Sequence, residues 1–199
     1  MKLLIGISGA SGAPYAKRLL EALTSAPLAE RVTVSIVLSS TAEQVYGHEC
    51  RGSVRDFGLP VYEGRDYGAP FASGSSPPDA MVIVPASMST VAKVAHGISD
   101  NLLTRAADVV LKERRRLIVV PRETPYSEIH LTNMLALTRV GALILPASPS
   151  FYGLPRSIDE LLDSVVGRVL DQLGLSHALT RRWGGDVALR AGSEKEDRS

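Results

Sequence analysis

The residues of this 199-residue chain with types and spacings suited to chemistry begin with the run Ser8-Gly9-Ala10-Ser11-Gly12, whose glycines repeat as Gly6-x-x-Gly9-x-x-Gly12. A small-residue turn entering a helix can aim backbone N–H groups, small hydroxyls and the positive end of a helix dipole at one spot, and phosphate is the usual occupant. The spacing is neither the dinucleotide fingerprint G-x-G-x-x-G nor a Walker loop, which ends in Gly-Lys-Ser/Thr. Further along stand Ser39-Ser40, Ser87, the pair Arg122-Glu123 and Ser148, each directly after an apolar run. Arg105, Asp108 and Lys112 follow at i, i+3 and i+7 on one helix face, where a solvated salt-bridge ladder needs no further purpose. Arg168 beside an apolar helix stripe reads as a snorkelling side chain. His130 reads as a hydrogen-bonded structural residue, and Trp183 as a packing residue.

These residues need a scaffold that brings strand ends together. Residues 2–20 read as a strand (Leu3, Leu4, Ile5, Ile7), the turn, and an amphipathic helix carrying Tyr15, Leu19 and Leu20. Apolar, largely β-branched runs recur at 32–38, 81–84, 117–120 and 142–145 after helical stretches. That alternation predicts an α/β fold, a parallel sheet with helices on both faces. Ligands of such sheets lie beyond the carboxyl ends of the strands, where the hydroxyls and the Arg-Glu pair fall. Asp100-Asn101 predicts a helix start, with the helix running to about Arg114. A helix over 127–138 is expected to bury Leu131, Met134, Leu135 and Thr138. Ser157 and Glu160 predict a capping box before Leu161, Leu162, Val165, Val166, Val169 and Leu170. Residues 57–79, rich in Gly, Pro and Ser, read as a long functional loop that folds over a ligand or reaches a neighbouring subunit.

Length and a 45% hydrophobic composition fit one domain, here taken as 1–191, with 192–199 as a disordered tail. Lys and Arg number 22 against 21 Asp and Glu, which gives no basic surface for nucleic acid or membrane. The single cysteine, Cys50, excludes an internal disulfide and a multi-cysteine metal cage. No run approaches the ~20 apolar residues that span a bilayer. The chain starts with a strand pattern lacking a signal peptide's features, so a cytoplasmic protein is expected.

Taken together, Gly9-Ala10-Ser11-Gly12-Ala13, Ala72-Ser73-Gly74-Ser75, Asn101-Leu102 with Arg105-Ala106-Ala107-Asp108, Leu111-Lys112-Glu113-Arg114, Pro121-Arg122-Glu123-Thr124-Pro125, Ile129-His130-Leu131 with Asn133-Met134, and Phe151-Tyr152 resemble the UbiX flavin prenyltransferases. That branch belongs to the homo-oligomeric flavin-containing cysteine decarboxylase superfamily. The resemblance implies a three-layer Rossmann-like or flavodoxin-like subunit, a homo-oligomer of dodecamer type, and FMN between subunits. It implies transfer of a dimethylallyl group from dimethylallyl monophosphate to reduced FMN, closing a ring between N5 and C6. The prenylated FMN then serves a UbiD-type decarboxylase. By the same resemblance Gly9, Ala10, Ser11, Ser39, Ser87, Met88, Ser89, Thr90 and Arg122 meet the flavin, and Arg105 matches a further basic site position. Lys112, Tyr152 and Arg168 match prenyl-phosphate positions, and Glu49 and Glu123 match acidic positions near the reaction centre.

The chemistry fits these residue types. A departing allylic phosphate needs its growing charge stabilised by a metal or by fixed cations. The chain has no clustered aspartates for magnesium, and Lys112, Arg122, Tyr152 and Arg168 suit a metal-free monophosphate. Glu123 is the expected base at flavin C6, with Ser11 as a proton relay and Glu49 steadying positive charge on the prenyl fragment. A flavin-dependent decarboxylase of cysteinyl substrates is the alternative on the same fold. Those relatives carry Pro-Ala-Ser-Ala-Asn-Thr where this chain has Pro85-Ala86-Ser87-Met88-Ser89-Thr90. A non-catalytic FMN carrier is a third reading. An NAD(P) oxidoreductase ranks last, because the second strand ends in Ser39-Ser40 without an acid for a ribose.

Overall fold

The computed structural model describes residues 1–180; the tail expected at 192–199, the domain limit at 191 and Trp183 lie outside the described residues. The apolar runs form strands β1 (Lys2–Ile7), β2 (Thr33–Leu38), β4 (Ala80–Ala86), β5 (Arg116–Pro121) and the short β6 (Leu143–Ile144). Between β2 and β4 the long loop contributes one more strand, β3 (Val61–Tyr62), which pairs with Ile36 and Val37 at the sheet edge. Two residues bounded by Pro60 and Glu63 are too few for an alternating pattern, so the sequence shows no strand there. All pairings are parallel, in the order β3-β2-β1-β4-β5-β6. Chain direction across the sheet therefore reverses between β1 and β4, and the crevice beyond their carboxyl ends is where such sheets take ligands.

Helices cover both faces. Helices α1 (Ala13–Thr24), α2 (Ala42–Cys50) and α6 (Ile158–Gln172) pack with Leu3, Ile5 and Ile7 of β1. Helices α3 (Met88–Ala95) and α4 (Leu102–Lys112) join Leu4, Met81 and Ile83 on the other face, with α5 (Glu128–Arg139) contributing Met134 and Leu137. Alternate residues of one strand thus feed two cores, as a sheet buried on both faces requires.

The helix ends refine the expectations. Asn101 caps α4 by accepting from Thr104 N at 3.0 Å, and Thr104 reciprocates. The helix stops at Lys112, two residues early, because Arg114 turns into the left-handed region at φ 54°. Ser157 caps α6 through Glu160 N, whereas the Glu160 carboxylate reaches past the cap to Arg156 N at 2.8 Å, so the capping box is half made. On α5 the expected inner stripe is wrong: Leu131 and Leu135 are 53% and 50% exposed, and Thr138 is exposed too. Of the four only Met134 is buried, alongside Asn133 and Leu137. Asn133 is drawn inward by a 3.1 Å hydrogen bond with His96, a polar pair that interrupts the buried face and disguises it in the sequence. His130 is structural as expected, its Nδ1 accepting from Ser127 N.

Arg18 of α1 grips Asp163 of α6 with Nε and Nη2 at 2.6 and 3.1 Å, and Asp163 is buried. Removing one partner strands a buried charge. Arg18→Met is expected to lower stability by about 3 kcal/mol in denaturant unfolding, with Arg18→Met/Asp163→Leu recovering more than half of that loss.

Candidate active site

The end of β1 is tied to the end of β4 by one buried hydroxyl. Ser8 Oγ donates to the Pro85 carbonyl at 2.7 Å and accepts from Ser87 N at 2.8 Å, across the point where the sheet reverses. This sets the Gly9–Ser11 turn beside the start of α3, which Ser87 caps by accepting from Thr90 N at 3.2 Å. Gly9 has no room for a side chain, because a Cβ would overlap the Thr41 hydroxyl. Gly12 lies at φ 112° and starts α1 with no side chain to cap it.

The cap comes from elsewhere. Glu49, near the end of α2, accepts from Gly12 N at 2.9 Å and Ala13 N at 2.8 Å. Burial pushes its carboxyl up, but the Ser11 hydroxyl, these two N–H groups and the nearby Arg122 charge outweigh it and hold the pKa below the ordinary value. Arg122 in turn donates through Nε to the Ser11 carbonyl at 2.8 Å. Two amides at the start of the glycine-rich turn's helix are therefore taken by a carboxylate of the protein itself, and the turn does not offer the open phosphate site its sequence implies. Glu123 is half-buried next to Arg122, and its Oε1 accepts from Thr124 N at 3.0 Å.

On the other side of Gly9 lies a cleft of about 780 Å³. Ser39, Ser40 and Thr41 line it from the turn after β2, Ser87, Ser89 and Thr90 from the start of α3, and Gly64 and Arg65 from the long loop. Among the described residues the buried Ser39 hydroxyl has no hydrogen-bond partner. An orphaned hydroxyl in a cleft is poised for a ligand's polar atom. The Met88 side chain points away into the core, so at that position only backbone can face the cleft.

Gly9, Ala10, Ser11, Ser39, Ser87, Ser89, Thr90, Glu49, Arg122 and Glu123 thus gather at the carboxyl edge of the sheet. Four other expected residues do not join them within one chain. Arg105 Nε donates to the Ala72 carbonyl at 3.1 Å and its Nη1 pairs with Asp108 at 3.0 Å, strapping the long loop to α4. Lys112 ends α4, eleven residues from the cleft end of that helix, and pairs with Glu113. At 1.5 Å per residue that is roughly 16 Å away. Arg168 pairs with Asp171 one turn before the end of α6, which touches Arg116 at the start of β5 and so marks the opposite edge. Tyr152 stands in the loop after β6, its N–H donating to Ser150 Oγ at 3.4 Å.

Two contributors, Thr41 and Arg65, went unnoticed in the sequence, and Ser8 entered only as part of the turn, without its bridging role. Thr41 carries a visible signal, since it completes a hydroxyl run after β2; Ser8 and Arg65 acquire their parts only through distant partners. Among the described residues no group of three or more His, Cys, Asp or Glu is placed to hold a metal.

A parallel sheet with hydroxyls ranged along its switch point is the architecture of flavin-binding α/β proteins, and residues 1–170 match the family model Flavoprotein. The chain is 43% identical over 187 residues to the flavin prenyltransferase UbiX of Methanocaldococcus jannaschii, covering 92% of this chain and 99% of that one. Its fold superposes with TM-score 0.88 on a dodecameric FMN-dependent UbiX-like decarboxylase from Escherichia coli O157:H7, at 45% identity over 93% of this chain and 100% of the other. AnUbiX (PadA1), solved in complex with FMN and dimethylallyl pyrophosphate, gives TM-score 0.87 at 42% identity, covering 92% and 97%. The chain belongs to the UbiX flavin prenyltransferase family.

The depressed Glu49 carboxyl makes a stability prediction with a definite sign. A folded value below the unfolded one stabilises at pH above the ordinary 4.5, and that stabilisation is lost as pH falls below 4.5 through the folded value. The stability gap between the protein and Glu49→Gln is therefore expected to be full at neutral pH and to close in that acid window, read by urea unfolding across pH.

Proposed function

We propose that the protein is a flavin prenyltransferase that binds reduced FMN in the hydroxyl-lined cleft and takes its prenyl group from dimethylallyl monophosphate. The observation carrying this reading is the buried, unpartnered Ser39 hydroxyl among Ser87, Ser89 and Thr90, in a chain whose relatives of 42–45% identity include one solved with FMN and a dimethylallyl donor. Bound reduced FMN supplies the electron-rich N5 and C6 atoms that receive the dimethylallyl group as its bond to phosphate breaks.

The chain's residues then divide the work. Glu123 has one oxygen engaged by Thr124 N, which leaves Oε2 to take the proton from C6. Ser11, held between Glu49 and the carbonyl contact to Arg122, is placed to relay a proton. Glu49 stays ionised, so it keeps a negative charge near developing positive charge while bracing Ser11. Lys112, Tyr152 and Arg168 receive the departing phosphate, and because Lys112 and Arg168 lie toward the far edge of their own subunit, they serve the site of a neighbouring copy. The exposed apolar residues Ile129, Leu131 and Leu135 on α5, with Phe151, Leu154 and Ile158 before and at the start of α6, suit burial between copies. A dodecamer is the proposed assembly, by analogy with the E. coli relative. The prenylated FMN passes to a UbiD-type decarboxylase.

Incubation of the protein with reduced FMN and dimethylallyl monophosphate is expected to yield flavin heavier by one dimethylallyl unit; an unchanged flavin mass overturns the assignment. Glu123→Gln is expected to bind FMN normally and to slow ring closure by roughly a hundredfold or more, the usual size of a general-base contribution. Lys112→Ala and Glu123→Gln proteins, each nearly inactive alone, are expected to regain part of the activity when reassembled together. No recovery on mixing would place Lys112 in the same subunit's site.

A further inference from the structure

Five charged side chains line the cleft, and four of them are already paired. Glu43 and Glu63 are both held by Arg55, at 3.3 and 3.0 Å, and Lys93 is held by Asp100 at 2.6 Å. Arg65 remains, with no acid or hydrogen-bond partner for its side chain among the described residues. Its backbone is nonetheless anchored: Leu102 N donates to the Gly64 carbonyl at 2.8 Å, and Tyr67 N to the Arg65 carbonyl at 2.9 Å. The backbone that carries this exposed guanidinium is thus fixed at the rim of a cleft that also holds Ser39, Ser40, Thr41, Ser87, Ser89 and Thr90. The other anion site on this edge, the start of α1, is closed by Glu49.

We propose that Arg65 receives the terminal phosphate monoester of the flavin, with the cleft hydroxyls as neutral donors, and so orients the ring end toward Ser11, Arg122 and Glu123. The inference rests on the flavin reading above. A guanidinium fork matches a phosphate dianion in geometry as well as charge, and the hydroxyls alone leave that charge unneutralised. The prenyl donor carries the same phosphate chemistry, so the test must separate the two.

Fluorescence titration of the full-length oligomer with FMN and with riboflavin, which lacks the phosphate, does so for the unchanged protein, Arg65→Ala and Arg65→Lys. The unchanged protein is expected to prefer FMN. Arg65→Ala is expected to weaken FMN by roughly tenfold, a shift of one decade in Kd, while leaving riboflavin unchanged. Arg65→Lys is expected to restore most of the loss, and the salt dependence of FMN binding is expected to flatten in Arg65→Ala. Equal weakening of both flavins would make Arg65 a structural strut and overturn the proposal. An unchanged FMN Kd with a raised KM for dimethylallyl monophosphate would overturn it by assigning Arg65 to the donor. An unchanged protein that binds neither flavin would remove the flavin reading itself.

Discussion

The site depends on the carboxylate of Glu49 at the start of α1. A helix beginning at Gly12 exposes orphan N–H groups and the positive end of its dipole without any side chain of its own to meet them. Glu49 answers both needs from another helix, and in doing so locks the end of α2 against the start of α1. The same carboxylate takes the Ser11 hydroxyl, and Arg122 closes the ring by donating to the Ser11 carbonyl. Glycine is favoured at position 12 because φ is 112°, a backbone conformation that L side chains rarely adopt. One ionic contact thereby fixes a turn, two helices and the strand end after β5.

Its second consequence is electrostatic. A strand-turn-helix unit with small residues ordinarily leaves its helix start open for phosphate, but here the protein supplies the anion. The open part of the crevice moves to the other side of Gly9, where the Ser8 bridge between β1 and β4 sets two hydroxyl runs facing one another. The turn is then a wall of the site and a holder of Ser11, and the remaining anion-seeking groups lie across the cleft.

Much of this architecture is legible in the sequence because strand periodicity and caps are local. The five longer apolar runs, the Asn101 cap and the gathering of hydroxyls and Arg122-Glu123 at strand ends all follow from neighbours in the chain. Features set by distant partners are not legible. The two-residue β3 exists only because β2 offers an edge, and the buried face of α5 is inverted by Asn133 pairing with His96. The occupant of the turn is hidden for the same reason, since Glu49 stands 37 positions from Gly12. Resemblance supplies Lys112 and Arg168 as site residues, yet their own subunit carries them toward the opposite edge of the sheet, a relation no motif encodes.

That separation bears on how the proposed reaction is controlled. Within one chain the carboxyl edge collects hydroxyls, Glu49 and Glu123; of its cations, Arg122 already uses Nε to hold Ser11, and Arg65 is the one proposed for the flavin's own phosphate. A single subunit can therefore present a flavin-sized cleft and a base, but it commits little free positive charge to a leaving phosphate. Lys112 and Arg168 rest in ion pairs with Glu113 and Asp171 of their own helix ends, and in the proposed reaction they act on the site of another copy. On this reading assembly completes the electrostatics of the reaction as well as burying the exposed apolar residues of α5 and of the segment leading into α6. Because fixed cations stabilise developing charge only where water is excluded, both effects require the same interface.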